Sequence, residues 1–156
     1  MIAEELRCAL RHHPQAVAII TAAGPDGPIG VTVSSFCSAS MHPPLVVAWI
    51  GTKASAWPVL SAAPLFAVHL LGTEQRGLAD LFARSGADRF GPGTTWKPDD
   101  DGVPHLLDPP VRMRCRAVER IAVGDHVALV GAPVEITSGQ DVPPLVRHQG
   151  RWTSVA

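Results

Sequence analysis

Asparagine and tyrosine are absent from this sequence, and lysine occurs only as Lys53 and Lys97. Without asparagine there is no acceptor for N-glycosylation. Cysteine is scarce: Cys8, Cys37 and Cys115 are odd in number and far apart. They match neither a disulfide framework nor a metal-ligand spacing, so the expectation is reduced thiols in a cytoplasmic protein. The seven histidines form no His-x-x-x-His or His-x-His pair, which leaves no metal expected. No apolar run approaches the roughly 20 residues that span a bilayer, and the N-terminus has no basic-then-apolar signal pattern. A formal net charge of −1 with interspersed signs argues against nucleic acid as the main partner. Motifs are missing too. No G-x-G-x-x-G follows a strand, since Gly24, Gly27 and Gly30 have the wrong spacing. There is no G-x-x-x-x-G-K-[ST] and no G-x-S-x-G, so Rossmann-type dinucleotide binding, P-loop hydrolysis and the hydrolase elbow are excluded.

What remains is a chain of 156 residues, 46% of them apolar, long enough for one domain over residues 1–156 with a sizeable core. Its distinctive stretch is Gly30-Val31-Thr32-Val33-Ser34-Ser35-Phe36-Cys37-Ser38-Ala39-Ser40, closed by Pro43-Pro44. It begins as a strand with Ile29, Val31 and Val33 on one face and Gly30, Thr32 and Ser34 on the other. The second face carries only hydrogen or short hydroxyl side chains, and hydroxyls continue through Ser35, Ser38 and Ser40 as a loop. Such a surface lets a flat polar ligand approach the backbone, with O–H and N–H donors in reach. A serine-rich loop that binds nothing has the same composition.

Along the chain, Ile2, Leu6, Ala9 and Leu10 recur at helical spacing and predict a short amphipathic helix stopped by Pro14. Strands are expected over 16–21, 29–34, 45–50, 65–71, 111–121 and 126–136, with a terminal pair over 144–148 and 151–155. The apolar run Leu45–Ile50 predicts burial on both faces. Ser55 is the expected N-cap of a helix carrying Pro58 in its first turn, with Lys53 beside an anion-receptive end. A second helix over 74–83 is expected to be capped by Thr73. Residues 84–101, rich in Gly, Pro and Asp, predict a long irregular loop, with Asp99-Asp100-Asp101 solvated. Within it Arg89 is either a bidentate phosphate donor or a surface arginine paired with Asp88. His69, in mid-strand, is expected to be a packed, hydrogen-bonded histidine. His126 follows the Val123-Gly124-Asp125 turn of a long hairpin, a position usually just exposed. Many strands, short helices and no long βαβ alternation point to an antiparallel barrel. Donors, small side chains and few cations, without a nucleophile–base set, suit a cofactor that does its own chemistry.

Several segments in order resemble one family: Ala18-Ile19-Ile20-Thr21, Gly30 through Ser40 with Pro43-Pro44-Leu45-Val46, Phe66-Ala67-Val68, Leu78-Ala79 with Phe82-Ala83, Arg89-Phe90, Gly124-Asp125-His126, and Pro144-Leu145 with His148-x-Gly150. This is similar to the flavin reductase-like family, the small FMN-binding split-barrel reductases that serve two-component flavin-dependent monooxygenases. The resemblance implies a mainly β fold, a six-stranded antiparallel split β-barrel with short flanking helices, and a homodimer. It implies hydride transfer from NADH or NADPH to FMN or FAD, and reduced flavin that diffuses to a partner monooxygenase. Carried over by position, Thr32, Val33, Ser34 and Ser35 would lie along the flavin ring and ribityl chain, and Ser38, Ala39 and Ser40 would add hydroxyls and N–H groups. Lys53, Ser55, Arg89 and Phe90 would serve the phosphate end, and His126 would lie by the nicotinamide. Two positions depart from the family: Ser34 stands where asparagine is common, and Arg147 where an aromatic is. A non-catalytic flavin- or haem-binding carrier, a pyridoxamine-phosphate-oxidase-like enzyme and a ligand-free dimeric scaffold are the competing readings.

Overall fold

Antiparallel strands are the main secondary structure in the computed structural model, which describes residues 1–155. Helix α1 (Ile2–Leu10) leads into β1 (Gln15–Ala16), β2 (Ala18–Gly24), β3 (Gly27–Val33), β4 (Phe36–Met41) and β5 (Pro44–Gly51). The short α2 (Trp57–Leu60), β6 (Leu65–Leu70), a 3-10 turn at Thr73–Gln75 and α3 (Arg76–Ala83) follow. Then come β7 (Trp96–Pro98), β8 (Pro104–Leu106), the long hairpin β9 (Val111–Val123) and β10 (His126–Ser138), and finally β11 (Val146–His148) and β12 (Arg151–Thr153). The main sheet has seven strands in the order β3-β2-β6-β9-β10-β5-β4; β1-β11-β12 and β7-β8 form two small ones.

The six expected strands are all in that sheet, and the seventh is new. Phe36–Met41, expected as a hydroxyl loop, is an edge strand paired with β5 and bulged between Ser38 and Ser40. Phe36 and Ser40 are half-buried and Cys37, Ser38 and Ala39 exposed, which suffices for an edge, where one side needs no partner. β3 and β4 are thus the two opposite edges of one sheet, yet only Ser34 and Ser35 link them. Three Cα steps of 3.8 Å bridge at most about 11 Å. The sheet therefore curls until its first and last strands meet at this corner, and no ladder joins them among the described residues.

Two apolar layers follow from the alternation on β2. Ala18, Ile20 and Ala22 face the inside of the curl with Val33, Phe66, Val68, Cys115 and Leu129. Ile19 faces the other side, against Ala79 and Phe82 of α3 and against Leu106 and Leu145. Covered on both faces, β2 is buried over five consecutive residues. β5 is less so: Val46, Val47, Ala48 and Ile50 are buried, but Trp49 is only half-buried and turns outward.

Four local expectations need correcting. Ser55 does not cap α2, which starts at Trp57 with Ala56 at the N-cap and no side-chain bond. Its end is held from outside, as Arg120 donates to Leu60 O (2.9 and 3.0 Å) and, just beyond the helix, to Ala63 O at 2.6 Å. Thr73 does not cap the second helix; Gln75 Oε1 accepts the Gly72 N–H at 3.0 Å instead. Residues 84–101 are not irregular throughout. Phe82, Phe90 and Trp96 stack edge to face with ring centres 5.2 Å apart at each contact, and β7 pairs with β8. Asp99 is not solvated either: it accepts from His105 Nε2 (3.0 Å), Arg114 Nε (2.9 Å) and two backbone N–H groups. Burial alone would raise its carboxyl, but the hydrogen bonds from His105, Val103 and Asp101 outweigh this and hold it below the ordinary range.

His69 is the packed histidine its position predicts. It is fully buried; the Leu106 N–H donates to Nε2 at 3.1 Å, so Nδ1 carries the proton and donates to Ile19 O at 3.1 Å. Burial pushes its pKa from 6.5 down to about 3, with His105 and Arg112 nearby also lowering it and the Ile19 bond opposing. The unfolded chain then binds one more proton than the native state below pH 6.5. Stability from this group is complete above that pH and declines, by up to ~1.4 kcal/mol per pH unit, as pH falls toward 3. Urea midpoints at pH 7.5 and 5.5 will therefore differ more for the native chain than for His69→Leu. Equal drops in the two proteins would remove this account.

Candidate functional site

Two clefts gather six of the twelve predicted residues. One, of about 560 Å³, is lined by Ser34, Ser35 and His126 together with Phe36, Cys37 and Trp49, and by His13 to Ala16 of the N-terminal arm. The other, of about 380 Å³, is lined by Arg89 and Phe90 with Ser55, Gly30 and their neighbours. Register ties them together. Gly51 is the partner of His126 across β5 and β10, and four residues further on Ser55 lies 3.5 Å from Arg89 Nη1. On the other bank Arg89 Nη1 donates to Gly30 O at 2.6 Å, and four residues further on Ser34 lines the first cleft. At ~3.3 Å per residue the two ends lie roughly 13 Å apart along β3.

At the His126 end, Nδ1 lies 2.7 Å from Asp125 Oδ1. A carboxylate only accepts, so Nδ1 carries the proton, and whenever the ring is uncharged Nε2 is an acceptor. Nε2 sits over Gly51, where a Cβ would lie 3.7 Å from it. Asp125 is itself placed by its backbone: its carbonyl accepts from Thr52 N at 2.9 Å and Thr52 Oγ1 at 3.1 Å. The hydrogen bond and charge of His126, with Lys53 nearby, hold the Asp125 carboxyl below its usual range. The turn that sets this up is forced by Gly124, whose φ of +60° favours glycine.

At the other end Arg89 is not paired with Asp88. Nη2 donates to Arg84 O at 3.0 Å, Nη1 to Gly30 O, and Nε is buried with no acceptor among the described residues. Desolvation lowers the guanidinium from its ordinary pKa, yet it stays a cation. A cation with one buried, unanswered N–H beside a hydroxyl is a donor set suited to an anion. Phe90 belongs to the aromatic stack that holds this loop, and its carbonyl accepts from Trp96 Nε1 at 3.2 Å.

The remaining predicted residues lie elsewhere. Thr32 points to α3, its hydroxyl donating to Ala79 O at 2.7 Å. The bare face at Gly30 serves the same packing, since a Cβ there would come within 2.6 Å of Phe82. Val33 is buried in the inner core. Ser38, Ala39 and Ser40 sit on the β4 edge, and Lys53 is exposed on the turn after β5; none of the four lines either cleft. Sequence reasoning missed Trp49 and the arm from His13 to Ala16. Trp49 had a signal, an aromatic in an otherwise aliphatic strand, whereas the arm is brought in only by its pairing with β11. Cys37 and Cys8 are exposed, while burial pushes the Cys115 thiol up to about 12.

A family model described as "Flavin reductase like domain" matches residues 10–156. An NADH:FMN oxidoreductase from Rhodococcus qingshengii is 38% identical over 154 residues, covering 96% of this chain and 80% of that protein. The NADH:FAD oxidoreductase of Streptomyces globisporus C-1027, solved in complex with NAD and FAD fragments, is 28% identical. It superposes with a TM-score of 0.91 over 99% of this chain and 93% of its own. Nitrilotriacetate monooxygenase component B from Mycobacterium thermoresistibile superposes with a TM-score of 0.91 at 25% identity, covering 100% of this chain and 89% of that one.

Proposed function

Because this chain belongs to the flavin reductase-like family, we propose that it is an NAD(P)H:flavin oxidoreductase that reduces FMN or FAD and releases the reduced flavin to a partner monooxygenase. The observation that carries this reading is the pair of clefts on the β3 edge, an acceptor imidazole at one end and a desolvated cation at the other. A flavin, when bound, supplies the ring that accepts a hydride from the nicotinamide. The chain's own work is positioning, since the reacting atoms must be held within roughly 3–3.5 Å. Arg89 and Ser55 hold the phosphate end, with Lys53 adding charge from the turn. Ser34 and Ser35 offer hydroxyl and backbone donors to the ring, with the backbone of Thr32 and Val33 behind them and Ser38, Ala39 and Ser40 on the adjoining edge. His126, its proton fixed on Nδ1 by Asp125, offers Nε2 to the amide N–H of the nicotinamide carboxamide. Hydride transfer needs no general acid, and none is assigned.

In this reading the curled sheet is a split barrel, with β2, β3, β5, β6, β9 and β10 as its wall and β4 as an extra edge. The protein is a single domain working in the cytoplasm as a homodimer. The exposed apolar side chains of Ile2, Leu6 and Leu10 on α1, and of Ile121, Val123, Val134 and Ile136 on the long hairpin, support a second copy as their cover. Incubating the purified chain with FMN or FAD and NADH or NADPH should deplete the nicotinamide absorbance at 340 nm, and His126→Ala should raise the nicotinamide KM more than it lowers kcat. Absence of turnover with every pairing would refute the enzyme reading, and sedimentation as a single chain would remove the dimer.

A further inference from the structure

Trp49 lines the His126 cleft without a part in the core or in the roles assigned above. Its neighbours Ala48 and Ile50 are buried in the inner core. Trp49 alternates to the opposite face and stays half-buried there. Across β10 it pairs with Ala128, as His126 pairs with Gly51, so Trp49 and His126 stand on one face two residues apart. Its backbone N–H donates to Ser35 O at 3.0 Å, which places the indole beside the Ser34–Ser35 corner. The three other tryptophans have structural occupations. Trp96 stacks on Phe90 and donates to its carbonyl. Trp152 donates to Asp80 Oδ1 at 3.0 Å under the Arg147 guanidinium, 4.6 Å from the ring centre. Trp57 packs against the inner core. Among the described residues Trp49 is in no aromatic pair, has no cation over its ring and has no acceptor for Nε1, although it lines a cleft of about 560 Å³.

We propose that the Trp49 indole is the surface against which this cleft holds the isoalloxazine ring, and that it favours oxidised over reduced flavin. The proposal rests on the flavin-reductase reading and adds to it a residue that sets which redox state is retained. An indole face is electron-rich, and an aromatic pair is strongest when the partner ring is electron-poor. Oxidised isoalloxazine is such a ring; two added electrons remove the complementarity. A contact that weakens on reduction releases the product while gripping the substrate, which suits a protein that exports reduced flavin.

The test is equilibrium binding without nicotinamide. The native chain, Trp49→Leu and Trp49→Phe are titrated with oxidised FMN by flavin fluorescence, and anaerobically with dithionite-reduced FMN. Trp49→Leu should weaken oxidised FMN about tenfold, the size expected for a lost aromatic pair, and reduced FMN by less than about threefold. Emission of the bound oxidised flavin, quenched by the indole in the native chain, should recover in Trp49→Leu. Trp49→Phe keeps an aromatic face and should stay within about threefold of native affinity. Native affinity and quenching in Trp49→Leu would overturn the contact, and equal weakening of both redox states would overturn the preference. A native chain that binds no flavin would instead defeat the functional reading beneath it.

Discussion

Replacing Arg89 with alanine should weaken FMN binding by about a hundredfold or more while leaving riboflavin within about threefold. Charge-assisted hydrogen bonds contribute ~1.5–3 kcal/mol each, and a fork that offers two to a phosphate accounts for a loss of that order. Riboflavin has the ring and the ribityl chain but no phosphate, so it separates loss of an anion site from general damage. That control matters because Arg89 also has structural duties. It donates to Gly30 O on β3 and Arg84 O after α3, and it lies 3.5 Å from the Ser55 hydroxyl. Arg89→Lys should not restore FMN affinity, since an ammonium cannot span Gly30 and Arg84 and still present a second donor. Dissociation constants from flavin fluorescence decide the matter. If both ligands weaken equally, Arg89 is a brace for the β3 edge and the phosphate must be held elsewhere.

The second large effect is on stability. Phe82 is fully buried between β2 and the 84–96 loop, edge to face with Phe90 at 5.2 Å. Phe82→Ala should cost ~3–5 kcal/mol, the transfer cost of the ring plus that of the cavity it leaves. Its contact with Gly30 makes the prediction specific. A Cβ at Gly30 would lie 2.6 Å from Phe82 Cε1, so Gly30→Ala alone should cost ~1–3 kcal/mol through overpacking. With the ring gone that methyl has room, and the double variant should be more stable than the sum by at least ~1 kcal/mol. Urea denaturation of the four proteins closes the cycle. Simple additivity would mean that Gly30 is glycine for some reason other than the ring above it.

That pair also explains why part of the site was illegible in the sequence. Strand periodicity puts Gly30, Thr32 and Ser34 on one side, which in the sequence reads as one bare face for a ligand. The structure divides that face. Gly30 and Thr32 lie under α3, which arrives from 47 residues further on to take the Thr32 hydroxyl, and only Ser34 reaches a cleft. A strand pattern records which residues share a side, not what the rest of the chain lays over it. The hydroxyl run was similarly ambiguous. Short polar residues over 36–41 fit a loop or an edge strand equally, and only the pairing with β5 chooses.

The sequence by itself determined six of the seven strands of the main sheet, the long β9–β10 hairpin with its glycine turn and the buried histidine in β6, because alternation and turn chemistry are local properties. Only the tertiary structure decided that a two-residue link joins opposite edges of one sheet, that Ser55 meets Arg89 instead of capping α2, and that Trp49 faces the cleft beside His126. Those are matters of which distant segments come into contact, and a contact between distant residues leaves no periodic trace in either one.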